Sequence, residues 1–116
     1  VTRDEKFGPL IMFGLGGIYT EALRDVSFRL APLRPNVANE MIHSIRSYRL
    51  LEGVRGERPS DLGAVADCLL RLSQLVTDWP EIQELDINPL MVFSHGEGAA
   101  AADARIILSR PATAAE

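Results

Sequence analysis

The sequence predicts an α+β fold, a mostly antiparallel sheet with helices packed on one face. Three observations carry that prediction: short strand-like runs near both ends of the chain, two helical periods between them, and a polar, glycine-bearing turn joining the last two runs. Strands that segregate from helices, rather than alternating with them, favour an antiparallel sheet with one covered face.

Pro9 to Phe13 is a short apolar run that stops at Gly14-Leu15-Gly16-Gly17, and it reads as a buried strand ending in a tight loop. Val26, Phe28 and Leu30 alternate with Ser27 and Arg29, the period of a half-buried strand. Pro32 and Pro35 break that pattern, and Pro35 is placed to open a helix. Its apolar positions fall at 37, 38, 41, 42, 45 and 48, which is helical spacing. Gly53 and Gly56 close this element. Ser60 reads as the N-cap of a second helix, with Asp61 in its first turn. Leu62, Val65, Ala66, Leu69, Leu72 and Val76 form its apolar stripe, and Pro80 stops or restarts it. Ile82 to Phe93 and Ala100 to Leu108 are the last two strand-like runs, with Ser94-His95-Gly96-Glu97-Gly98 as a hairpin connection.

With 116 residues, 47% of them apolar, the chain is the size of one domain with a real core. It starts at Val1 without a methionine, and we read residues 1–110 as one subdomain of a larger protein and 111–116 as a tail or linker. The net charge of −4 argues against nonspecific binding to nucleic acid or anionic membrane. The longest apolar runs, Leu10 to Phe13 among them, fall far short of the roughly 20 residues that cross a bilayer. Cys68 is the only cysteine and cannot form an intrachain disulfide, which suits a reduced, cytoplasmic setting.

The last two strands hold the chemistry. Glu84, Asp86 and Asn88 point to one face of the first; Asp103 and Arg105 share a face of the second. If the turn centres between His95 and Gly96, Asn88 lies opposite Asp103; one residue later, Asn88 lies opposite Arg105 and Asp103 is diagonal to it. Either register brings an amide oxygen and a carboxylate together. Magnesium takes one or two carboxylates and leaves its other positions to water and phosphate oxygens. The plainer alternative is a solvated sheet face carrying no site.

The other candidates are weaker by residue type alone. Gly14-Leu15-Gly16-Gly17 fits neither a dinucleotide fingerprint nor a P-loop, and reads first as a tight turn. Glu21 stands shortly after it as a candidate catalytic carboxylate. Arg55, between two glycines, is placed to reach a phosphate. His43 and His95 have no adjacent acid or nucleophile and read as structural or exposed.

Taken together, Phe7-Gly8-Pro9, Phe13-Gly14-Leu15-Gly16-Gly17, Glu21, Asp25, Pro32-Leu33, Met41-Ile42, Leu51-Glu52-Gly53-Val54-Arg55-Gly56, Asp61, Glu84-Leu85-Asp86-Ile87-Asn88-Pro89-Leu90 and Asp103-Ala104-Arg105 resemble the ATP-grasp domain of ADP-forming acetyl/acyl-CoA synthetases. The match runs from Phe7 to about Leu108. It implies the C-terminal subdomain of an ATP-grasp fold, with Mg2+ and ATP/ADP as cofactors. It also implies the reaction acyl-CoA + ADP + phosphate ⇌ carboxylate + CoA + ATP, relayed through a phosphohistidine outside this chain. In the related succinyl-CoA synthetase β subunits, a Glu-Ile-Asn-Pro-Leu segment and a later Asp-Ala-Lys segment supply the magnesium ligands.

By position, the metal ligands here are Asn88 and Asp103. Asp86 takes the place of the acid thought to assist the phosphohistidine, and Arg105 that of the lysine. Gly14, Gly16, Gly17 and Arg55 stand as nucleotide-binding candidates, and Asp86 with Glu21 as catalytic ones. The implied partners are the remaining ATP-grasp subdomain and the CoA-binding and phosphohistidine domains, in the same protein or a partner subunit, with no nucleic acid and no membrane. A second reading is a non-catalytic, synthetase-like regulatory domain of a protein lysine acetyltransferase, where the same module is found.

Overall fold

The computed structural model describes residues 1–15, 25–53 and 56–110. Seven strands and three helices lie within them: β1 (Thr2–Asp4), β2 (Gly8–Gly14), β3 (Val26–Leu30), α1 (Pro35–Ser44), α2 (Tyr48–Leu51), α3 (Leu62–Asp78), β4 (Ile82–Ile87), β5 (Leu90–Val92), β6 (Ala99–Ala101) and β7 (Ala104–Leu108). Five strands form one antiparallel sheet in the order β3-β2-β1-β4-β7, and β5 pairs with β6 in a small sheet of its own. The helices pack on one side, as the sequence predicts.

The central strand, β1, is absent from the sequence-based reading. Thr2, Arg3 and Asp4 have no apolar alternation; their strand is imposed by β2 on one side and β4 on the other. Val1 extends it, giving and receiving backbone hydrogen bonds with Leu85 at 2.6 and 3.0 Å. On the helix side the Arg3 guanidinium donates from Nε to the Ile82 carbonyl and from Nη2 to the Val76 carbonyl, both at 3.0 Å. It thereby serves one of the carbonyls that the end of α3 leaves without a helical partner.

α1 opens on Pro35 as expected, but the helical pattern to residue 48 is interrupted. Ile45 is extended (φ −75°, ψ 147°), and a short α2 follows. The cause is Asp25, a buried carboxylate that accepts from the backbone N–H groups of Arg46 and Ser47 and from the Ser47 hydroxyl. Those bonds compete with helical ones and win. Led by the Ser47 hydroxyl, they hold the Asp25 carboxyl below the usual range.

The core has two clusters. Ile11 at the centre of β2 packs with Ala38, Met41 and Ile42 of α1 and with Val65 and Leu69 of α3. Farther along α3, Val76 packs with Ile82 and Leu85 of β4. Two buried hydroxyls are satisfied across elements: Ser27 Oγ donates to the Met41 carbonyl at 2.9 Å, and Ser73 Oγ accepts from Leu33 N–H at 2.7 Å. No described helix is long and apolar enough to cross a membrane.

Candidate metal and nucleotide site

The long hairpin expected from Ile82 to Leu108 is present but divided. β4 pairs with β7 in the main sheet and β5 with β6 in the small one, and the division falls at Asn88-Pro89 on one strand and Ala102-Asp103 on the other. Pro89 has no N–H to give a ladder, and the Asn88–Pro89 peptide is cis. Two hydrogen bonds bridge the gap, from Asn88 N–H to the Asp103 carbonyl at 3.1 Å and from Ala102 N–H to the Pro89 carbonyl at 3.0 Å.

From Glu84 to Val92 both ladders keep the register with the turn centred between His95 and Gly96, and a one-residue shift follows at Ile82. Asp86 lies opposite Arg105, Ile87 opposite Ala104, and Leu90 opposite Ala101. Asn88 therefore faces Asp103, and the alternative register is not adopted. Asp86, Asn88, Asp103 and Arg105 are all exposed, whereas Leu85, on the opposite face from Asp86, is buried against the helices. The ion pairs of the described residues, Arg58–Glu97 and Arg71–Asp67, lie elsewhere.

Asp86 and Asn88 also line a cavity of about 510 Å³. Its other walls are Phe13, Gly14 and Leu15 at the end of β2 and Cys68, Leu69 and Leu72 of α3. The structure thus brings Gly14, Asp86 and Asn88 to one cavity, and Asp103 to Asn88 through the backbone bond. Gly16, Gly17, Glu21 and Arg55 lie outside the described residues, as do residues 111–116. Cys68 is a half-buried thiol whose pKa is raised by burial, so it stays protonated and is no nucleophile. His43 stacks on Tyr48, ring centroids 4.3 Å apart, and its Nδ1 lies 2.7 Å from the Asn39 carbonyl, a structural role.

The donor set fits a hard cation shared with a ligand. No three His, Cys, Asp or Glu side chains cluster among the described residues, so a protein-only cage is not offered there. A carboxylate and an amide oxygen on an open face leave room for water and phosphate oxygens, the way magnesium is usually held.

Asp61 carries more than the sequence suggested. It, and not Ser60, is the N-cap of α3: its Oδ1 accepts from Ala64 N–H at 3.1 Å. Its Oδ2 accepts from Gly98 N–H, 2.8 Å away at the tip of the β5–β6 hairpin. Gly98 first, then Ala64, holds this carboxyl below the usual range. The Ser-Asp pair announces a cap, but no local pattern announces a second contact 37 residues away.

Comparison with known proteins gives the family and the fold. A family model described as ATP-grasp domain matches residues 1–108. The chain is 52% identical over 106 residues to an ADP-forming acetate–CoA ligase I of Archaeoglobus fulgidus, covering 91% of this chain and 15% of that protein. It is 51% identical over 109 residues to the beta subunit of the ADP-forming acetate–CoA ligase II of Pyrococcus furiosus, covering 93% of this chain and 46% of that subunit. Among solved structures it superposes with a TM-score of 0.86 and 45% identity on the dinucleotide-forming acetyl-coenzyme A synthetase 1 of Ca. Korarchaeum cryptofilum, over 93% of this chain and 50% of that one. That protein was solved with coenzyme A and Mg-AMPPCP, its phosphohistidine segment pointing towards the nucleotide binding site. The chain thus spans half or less of each of these relatives.

Proposed function

The chain belongs to the ATP-grasp domain family, and we propose that it is the magnesium- and nucleotide-holding subdomain of an ADP-forming acyl-CoA synthetase. The observation that carries this reading is the pairing of Asn88 with Asp103 at the break between two ladders, beside a cavity lined by Asp86 and Gly14. The ligase names of the relatives favour it over the acetyltransferase-linked regulator.

In this reading the full protein interconverts acyl-CoA, ADP and phosphate with carboxylate, CoA and ATP, and works in the cytoplasm. Residues 1–110 are the C-terminal ATP-grasp subdomain, and 111–116 are a tail or linker. The other ATP-grasp half, the CoA-binding region and the phosphohistidine come from the rest of the protein or a partner subunit. Asn88 and Asp103 would each offer one oxygen to a magnesium ion from their open sheet face, and that ion would supply neutralisation of phosphate charge during phosphoryl transfer. Asp86, one strand position pair away on the same face, presents a carboxylate towards the incoming phosphohistidine. Gly14, Gly16, Gly17 and Arg55 approach the nucleotide, and Glu21 supplies a further carboxylate.

In the full-length protein, Asn88→Ala and Asp103→Ala are each expected to lower Mg-ATP-dependent acyl-CoA formation by about 100-fold or more, the scale of a lost charge-stabilising contact. Thermal stability should hardly move, because both side chains are exposed. Near-normal turnover in both variants would overturn the assignment.

A further inference from the structure

We propose that Asp61 positions the Asn88–Asp103 pair, by fixing the angle at which the β5–β6 hairpin leaves the main sheet. The inference rests on the reading of that pair as the metal site. The hairpin meets the sheet only through the two bridging segments that carry Asn88 and Asp103, so its orientation has to be set elsewhere. Val92 packs on the core, but apolar contact is non-directional and fixes no angle. Directional bonds do so at the tip. Asp61 N–H donates to the Phe93 carbonyl and His95 N–H to the Pro59 carbonyl, each at 2.8 Å. The Asp61 carboxylate completes the strap, one oxygen on the first turn of α3 and the other on Gly98. α3 is seated in the core through Val65 and Leu69, so the carboxylate joins the hairpin to a helix anchored in the core.

Outer groups that orient metal ligands typically change metal affinity about 10- to 100-fold when removed. Asp61→Ser separates the two roles of the carboxylate. A serine at an N-cap still accepts from the helix N–H groups, but its single short hydroxyl cannot also hold Gly98. In metal-free full-length protein, hydrogen exchange should quicken at least tenfold across residues 90–101 of Asp61→Ser while the first turn of α3 stays protected. In the presence of ADP, Mn2+ affinity followed by electron paramagnetic resonance should weaken about tenfold. Asp61→Asn is the second variant, with an amide whose N–H opposes that of Gly98, and the same pattern is expected of it.

Unchanged hairpin exchange, or faster exchange with unchanged Mn2+ affinity, would overturn the inference. A role confined to capping would leave Asp61→Ser like the parent in both measurements, because serine keeps the cap. Asn88→Ala and Asp103→Ala in the same titration separate the two levels. If they bind Mn2+ like the parent, the metal-site reading fails; if they lose the metal and the Asp61 variants do not, only the positioning role fails.

Discussion

Arg3→Met tests how a strand of three polar residues comes to lie at the centre of the sheet. The substitution keeps the unbranched stem and removes the guanidinium with its two bonds, to the carbonyls of Val76 and Ile82. Hydrogen bonds from a charged donor contribute about 1.5–3 kcal/mol each. Arg3 is only half-buried, so water can replace part of what is lost, and the low end applies. The loss of favourable charge at the end of α3 adds about 0.3–1 kcal/mol. Halving the low-end pair for the bonds that water takes over, to about 1.5 kcal/mol, and adding the charge effect gives a total near 2 kcal/mol. For a chain of 116 residues, an unfolding entropy of about 2.1 cal/mol/K per residue converts that to a fall in Tm of about 8 °C. Arg3→Lys, a point charge without the fork, should recover about half. The assay is urea unfolding followed by circular dichroism, with a thermal scan beside it. A loss below about 0.5 kcal/mol, or a lysine variant as stable as the parent, would refute the claim that the fork clamps α3 to β4.

Acid should destabilise the chain through Asp25 and Asp61. Both carboxyls are held below their ordinary value in the folded state, so the unfolded chain, titrating near pH 3.9, binds protons first. Their contribution is complete above about pH 4 and is lost as pH falls below it. Urea midpoints measured from about pH 5 to 2 should decline, and the decline should flatten in the Asp25→Asn, Asp61→Asn double variant. Gly53→Ala and Gly96→Ala form a contrasting pair. Both glycines have positive φ, 90° and 86°, which costs a side chain about 1–2 kcal/mol. At Gly53 an added Cβ also meets the Glu57 carbonyl oxygen at 2.4 Å, whereas at Gly96 it meets nothing within 4 Å. Equilibrium unfolding should show Gly53→Ala to be the costlier by at least twofold, and equal losses would contradict the packing.

What was legible in the sequence followed from periodicity. Val26, Phe28 and Leu30 marked β3, the stripe from Leu62 to Val76 marked α3, and Pro35 and Pro80 marked helix limits that hold to within a residue or two. What was not legible depended on partners distant in sequence. β1 is a strand because of its neighbours, and Asp25 ends α1 from across the chain. At the site, period-two alternation put Asp86, Asn88, Asp103 and Arg105 on one face and limited them to two registers. The fold chose between these, and it added a break at Pro89 that alternation alone did not reveal. The proline was visible; that the opposite strand would divide at the matching point, Ala102-Asp103, was not.

That shared break constrains how the chain can change length. Asn88 and Asp103 are matched through one register that holds from Glu84 to Val92, beyond which β4 shifts by a residue at Ile82, and a one-residue slip in either strand would carry its side chains to the other face. Insertions and deletions in the fourteen positions between the two donors are therefore admissible only where no ladder runs. Ser94 to Gly98 is itself tied, by His95 and Gly98, to the segment before α3. The turn at Gly96-Glu97, closed by Glu97 N–H on the Ser94 carbonyl, lies outside both ladders, so a change of length there leaves the two donors in register.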